Sequence, residues 1–378
     1  MKKSIPIIVL LIVTFIAGGC SHNTPSKKNI KVGVFNINGD SPWCISDAVE
    51  ALRIDPEMDV DIISAAKIMS NQIDDYDVIL FPGGSGSSET GSLGQLGMEH
   101  VIKLTKEKGI GVVGICAGSY ALSVTPGYTS LHLSGYQAID IEHDHRGNGI
   151  AKFELTEKGK EFFPELNDYN EVYCQYYEGP VLVPSEKEEL KYQSLATMLS
   201  DVHLVEGTPA NMTNNRPYIT ISEPGNGRVV TFVGHPESTP GMRWMVPRMA
   251  RWAAKKEMVS YSEKAINPDF FGKEILFTDS LQKVQSNYYS MLKGSSEEKI
   301  EAMNGLINIG AWSAKKKFQG LLRDTDPQVR KIAAQSLLKM ERTDALFDLE
   351  TAMRLEDNPE TKKAIEHSIK ELNTIMSK

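Results

Sequence analysis

The chain has 378 residues, 41% of them hydrophobic, and a formal net charge of −8. That length supports two domains with cores of their own. The acidic balance, with no strongly basic stretch, excludes nucleic acid as an expected partner.

Lys2 and Lys3 precede an apolar run from Ile5 to Ile16, which ends in Ala17-Gly18-Gly19-Cys20. A charged start, a short apolar run and small residues are the three parts of an export signal. The run is too short to cross a bilayer as a helix. Small residues directly before a cysteine resemble the lipobox of bacterial lipoproteins. The resemblance implies a signal peptide over 1–19, lipidation of Cys20 with palmitate-type chains, and a place in the bacterial cell envelope. Several acyl chains give a stable membrane anchor, facing the periplasm or the exterior. An ordinary secretory signal cleaved nearby is the alternative. Residues 20–29 are polar and read as a tether.

The next stretch alternates short apolar strands with helices. Strands are expected at Ile30–Phe35, Val60–Ile63 and Asp77–Phe81, with helices at Ile45–Arg53 and Met98–Lys108. This pattern predicts a mostly parallel α/β sheet with right-handed crossovers and ligands at the carboxyl ends of its strands. Pro82-Gly83-Gly84-Ser85-Gly86-Ser87-Ser88 lies at one such end and reads as a loop. A second end is more telling. Ile110 to Ile115 is apolar and stops at Cys116, with Gly114, Ala117 and Gly118 around it. A strand turning sharply into a helix with a nucleophile at its apex needs such small neighbours. The helix start also favours thiolate. A buried structural cysteine before a glycine turn fits the same residues.

Farther on, Ile150–Leu155 alternates like a strand, and Thr156 is a candidate helix cap. Tyr218–Ser222 and Arg228–Val233 flank Pro224-Gly225-Asn226-Gly227, a hairpin signal that adds antiparallel strands. The second hairpin strand runs into Gly234-His235-Pro236-Glu237. A thiol nucleophile needs a base and a group to orient it, and His235 and Glu237 can point the same way. Met242–Lys255 is a helix that closes this part. His143 and His145 lie in a polar loop, and no cysteine or histidine group has zinc spacing, so neither metal nor cofactor is expected.

The Gly-x-Cys-x-Gly elbow, followed 119 residues later by His235-Pro236-Glu237, resembles the class I glutamine amidotransferase superfamily, whose fold is flavodoxin-like. The resemblance implies a catalytic triad of Cys116, His235 and Glu237. The oxyanion would be held by the N–H of Ala117 and that of Gly83 or Gly84. Phe81-Pro82-Gly83-Gly84, Tyr176-Tyr177-Glu178-Gly179-Pro180 and the closely spaced Gly227-Arg228-Val229-Val230 and Gly234-His235-Pro236-Glu237 narrow it. They look like the N-terminal domain of biotin–protein ligases and its bacterial stand-alone relatives, over about residues 30–256. Ala117-Gly118-Ser119-Tyr120 departs from the residues that usually hold glutamine after the nucleophile.

Residues 257–290 read as a linker and 291–378 as a helical module. Asp326-Pro327 through Leu337 resembles a HEAT repeat, with Val329, Ala333 and Leu337 on one face. Asn358-Pro359 to Ile369 echoes it downstream, and Glu298, Ala302 and Leu306 upstream. A plain helical bundle is the alternative. The expected protein is a membrane-anchored hydrolase of a small-molecule or peptide amide, with a protein partner on the repeats. A non-catalytic ligand-binding module and a redox sensor built on Cys116 compete with it. Any disulfide would join Cys44 to Cys174 and leave Cys116 free.

Overall fold

The computed structural model of the chain describes residues 29–185 and 191–376. The expected signal segment and Cys20 lie outside them. The strands are β1 (Ile30–Phe35), β2 (Met58–Ile63), β3 (Val78–Phe81), β4 (Gly111–Ile115), β5 (Tyr136–Ala138), β6 (Asn148–Leu155), β7 (Val172–Tyr177), β8 (Leu182–Pro184), β9 (Lys191–Met198), β10 (Arg216–Glu223), β11 (Val229–Phe232) and β12 (Ile275–Leu276). The large sheet runs β12-β6-β9-β10-β11-β4-β3-β1-β2, with β7 also on β6, while β5 and β8 pair separately. β2, β1, β3, β4 and β11 are parallel neighbours. This is the flavodoxin-like order 2-1-3-4-5, with β11 in the fifth place. From β11 outward the pairs are antiparallel, as the hairpin signal implied.

The helices of this half are α1 (Pro42–Leu52), α2 (Ala65–Met69), α3 (Gly86–Lys103), α4 (Ala117–Leu122), α5 (Glu157–Phe162) and α6 (Met245–Ala253). β3 and β4 are buried along their whole length, as central parallel strands with both faces covered must be. α3 and α4 seal one face through Leu93, Val101, Ala121 and Leu122. α1 and α6 seal the other through Ala48, Leu52, Met249 and Ala250. Thr156 does cap α5, accepting from Gly159 N–H at 3.1 Å. Trp244 is fully buried and donates to the Gly241 carbonyl at 3.0 Å.

Two expectations change. The Gly/Ser stretch after Gly84 is helical from Gly86, because the Ser85 hydroxyl accepts from Ser88 N–H at 3.2 Å and caps the first turn. Residues 257–290 carry regular structure: β12 adds to β6, and α7 (Asp279–Met291) follows. Short or polar pieces like these have too little apolar periodicity to be seen in sequence.

The C-terminal helices are α8 (Ser296–Asn308), α9 (Lys315–Leu321), α10 (Pro327–Lys339), α11 (Leu346–Leu355) and α12 (Pro359–Ile375). Asp326 and Asn358 cap α10 and α12 with a proline in the first helical position. Val329, Ala333, Leu337 and Ile365 are all fully buried, so the shared face is the packed one. The core on the α1 side continues into these helices through Ala302, Leu306, Phe318 and Leu349. No described helix is long and apolar enough to cross a membrane.

Candidate active site

Cys116 joins β4 to α4. Its N–H donates to the Phe232 carbonyl at 2.8 Å, which extends the β4–β11 ladder to the last residue before the turn. Its φ is +49°, a region a side chain avoids at a cost of about 1–3 kcal/mol. The turn closes because Gly118 packs on the Phe81 carbonyl, where a Cβ would clash. The thiol donates to the Tyr177 carbonyl at 3.4 Å.

His235 leaves the end of β11 and is 2% exposed. Its Nδ1 lies 2.7 Å from Glu237 Oε1. Its own N–H donates to the Gln175 carbonyl at 2.7 Å, which ties the base to β7. Burial by itself would lower the imidazole, but Cys116 and Glu237 outweigh it and hold it well above the ordinary histidine value. The protonated imidazole is thereby favoured beside the sulfur.

Gly83 lies against the imidazole: a Cβ there would sit 2.5 Å from His235 Cε1. Asn38 Nδ2 donates to the Gly83 carbonyl at 2.6 Å and pins that loop. Among the described residues, the N–H groups of Gly84 and Ala117 have no acceptor. Gly84, Cys116 and His235 open together on a cavity of about 880 Å³. Gly84, Cys116 and Ala117 also line a second cavity of about 420 Å³. The six residues singled out in sequence are thus brought together at three adjoining strand ends.

Several neighbours were not legible beforehand. Cys44, on the first turn of α1, offers its sulfur to the same cluster: Cys44, His235 and Glu237 present donor atoms within 4.8 Å of one another. These three could hold a soft metal, which would take His235 out of play as a base. Burial pushes the Cys44 thiol up to about 11 and the Cys174 thiol up to about 12, so both stay protonated at neutral pH. The three described cysteines are free, and none is bridged as Cys44–Cys174. Glu178, like Cys116, has a positive φ (+52°). The turn beneath it is held by Tyr176, whose hydroxyl donates to the Gly179 carbonyl at 2.9 Å, and by Arg146, which donates to the same oxygen. The helical part contributes Trp312, whose ring centroid is 5.2 Å from that of His235. A lone tryptophan before a polar helix carries no sequence signal for that place.

The fold and site together define a doubly wound α/β domain with a cysteine elbow and a buried His–Glu pair, joined to a helical module. A family model for HEAT repeats matches residues 290–370. No curated protein matches the chain in sequence. Similar solved structures include a glutamine amidotransferase (17% identity, TM-score 0.41, covering 59% of this chain and 98% of that one). Another is the Trypanosoma brucei CTPS glutaminase domain with bound acivicin (14%, 0.42, 63% and 100%). A third is a ThuA-like protein from Parabacteroides merdae (15%, 0.45, 63% and 94%).

Proposed function

We propose that the protein hydrolyses an amide or related acyl bond through a thioester on Cys116. The observation that carries this reading is a strained strand-to-helix cysteine facing a buried imidazole–carboxylate pair 2.7 Å apart. The Cys116 thiolate attacks the carbonyl carbon after His235 has taken the thiol proton. N–H groups of Ala117 and of Gly83 or Gly84 receive the oxyanion. Its collapse breaks the C–N bond, and His235 gives its proton to the departing amine. Water, deprotonated by His235, then attacks the thioester, and the acid and the thiol are released. Glu237 accepts from Nδ1–H, fixes the tautomer and balances the imidazolium charge.

The departure at Ala117-Gly118-Ser119-Tyr120 favours water as the acceptor and a substrate other than glutamine. The motif likeness to the biotin–protein ligase N-terminal domain supports placing the chain near that branch, without biotin transfer. The lipobox supports a lipid anchor on Cys20 and an envelope location, and the repeats suit a protein partner. A binding module without turnover is the second reading. It is favoured by Cys116 being only 5% exposed under a domain that Trp312 helps to close.

The test combines thiol labelling with turnover. Iodoacetamide at neutral pH should modify Cys116 well before Cys44 and Cys174. Release of amine from a panel of peptide amides should need no ATP and should vanish in Cys116→Ala and His235→Ala. It should fall less in Glu237→Gln, which orients rather than reacts. Turnover that survives in Cys116→Ala would sink the hydrolase reading.

A further inference from the structure

The larger cavity is built by both parts of the chain, and apart from His145 and His235 its ionisable side chains are acids, cysteines and Tyr177. Trp43 comes from α1, Tyr177 from the end of β7, and Trp312 from the turn before α9. Glu178, Glu206 and Asp279 add carboxylates from three separate segments, and none of the lining residues is Lys or Arg. Among the described residues Glu206 and Asp279 form no ion pair, and Glu178 pairs only with His145 Nδ1, at 2.6 Å. The aromatic side chains are left open although they surround a buried centre: Trp43 is 37% exposed and Tyr177 46%. Tyr177 and Trp312 both line the cavity, with their ring centroids 6.4 Å apart. The second cavity lies across Cys116, shares Tyr177, Glu178 and His145, and adds Asp144 without adding a Lys or Arg. Both cavities on which Cys116 opens thus carry carboxylates and no Lys or Arg.

We infer that this cleft selects an amide bearing an ammonium group, of the lysine-side-chain or polyamine kind, seated against Trp43, Tyr177 and Trp312 and paired with Glu178, Glu206 and Asp279. The amide part of that assignment rests on the proposed hydrolase reading; the recognition of the ammonium does not. A cation within about 6 Å of a ring centroid is drawn to the π face. A concave wall of one charge sign concentrates ions of the opposite sign. A carboxylate-bearing ligand seated among Glu178, Glu206 and Asp279, away from His235, would meet like charges, so these groups select against it there.

Two measurements test the cleft, and they fail independently. In the first, Cys116 of the full chain is alkylated by N-(2-aminoethyl)-2-chloroacetamide, by 2-chloroacetamide and by N-(2-carboxyethyl)-2-chloroacetamide. Each rate is divided by the rate with free cysteine. The cationic reagent should react about tenfold faster than the neutral one, and the anionic reagent slowest. Added salt should shrink the spread. The ratio of cationic to neutral rate should move towards one in Glu206→Gln and Asp279→Asn. In the second, Cys116→Ala protein is titrated calorimetrically with N-acetyl-lysine amide and with N-acetyl-norleucine amide. Tighter binding of the lysine compound is expected. Equal rates with equal binding, or a preference for the anion, overturn the cleft assignment while leaving the nucleophile standing. A Cys116 that reacts with none of the reagents, alongside selective lysine-amide binding, overturns the hydrolase reading and leaves the cleft assignment intact.

Discussion

Replacing Asp47 with asparagine should destabilise the protein by several kilocalories per mole. Asp47 lies on α1, is fully buried, and accepts from Lys315 and Arg342 of the helical module and from the Ser238 hydroxyl at 2.6 Å. Burial by itself would raise its carboxyl, but Arg342 and Lys315 outweigh this and hold it well below the usual carboxylate range. Lys315 benefits less: burial and the neighbouring Arg342 keep it below the ordinary lysine value. Asparagine keeps the shape but leaves two buried cations facing a neutral amide. Removing one partner from a buried pair costs about 3–5 kcal/mol. Asp344 remains 3.0 Å from Arg342 Nε and offsets part of that, so the low end of the range is expected. At about 2–4 °C per kcal/mol the midpoint should fall by about 6–12 °C, read by circular dichroism at pH 7. The folded carboxyl is depressed, so its contribution is present above the ordinary Asp value, about 4, and is lost as pH falls through and below it. Wild type and variant should therefore converge in acid. A triple replacement, Asp47→Leu with Lys315→Met and Arg342→Met, should recover part of the loss, since both buried cations leave with the carboxylate and only Asp344, the other partner of Arg342, is left without its cation. An asparagine variant within about 1 kcal/mol of wild type at pH 7 would refute the reasoning, because the two cations would then have no need of this carboxylate.

Glu341, in the same interface, should show the opposite pH sign. Burial pushes its carboxyl up to about 7 against the opposing pull of Gly241 N–H, Arg243 and Arg342, and its Oε2 has no partner. A raised folded value means its contribution is complete in acid and is lost as pH rises through about 7, a swing on the order of 3 kcal/mol. Glu341→Gln should be about 1–3 kcal/mol more stable than wild type at pH 8 and equal to it at pH 4; urea unfolding showing a less stable variant at pH 8 would contradict this. Glu89 on α3 is fully buried, and both its carboxylate oxygens lack partners. Burial, and then the neighbouring Cys116, push it well above the usual carboxylate range, which favours its uncharged form. Glu89→Gln should therefore stay within about 1 kcal/mol of wild type by calorimetry at pH 7, and a larger loss would show a charge that the fold depends on.

The parallel core and the elbow were readable because each rests on a local rule. A continuous apolar run such as Ile110–Ile115 marks a strand with both faces covered, and small residues around Cys116 mark a turn that nothing larger could close. His235 and Glu237 were readable because they stand two apart straight after an apolar strand, although a tight turn over Pro236–Ser238, and not an extended segment, brings Nδ1 and Oε1 together. β9 was not, since Lys191–Met198 gains its place by pairing with β10 and β6, not by its own alternation. Cys44 and Trp312 were not, because they reach His235 from elements far apart in the chain. The acidic character of the cleft was hidden for the same reason: Glu178, Glu206 and Asp279 share a wall only after folding.

The helical module belongs to the site in a physical sense. Arg243 Nε donates to the Glu237 carbonyl at 3.1 Å, while the same guanidinium donates to the Glu341 carbonyl in the helical module. Ser238, next to Glu237, reaches Asp47, and Asp47 reaches Lys315 and Arg342. The short turn carrying Glu237 is thus gripped through two routes that both end in the helices. Trp312 adds a third contact, directly on the imidazole. A stack of so few repeats is near the minimum that is stable alone, and here it shares a continuous core with α1 and α6. Pulling the module away would strand Asp47, release the turn that orients Glu237 and remove the Trp312 wall in one step. Alignment of the His–Glu pair and closure of the cleft are therefore one property of the fold, set by residues that lie far downstream of Cys116 in the sequence.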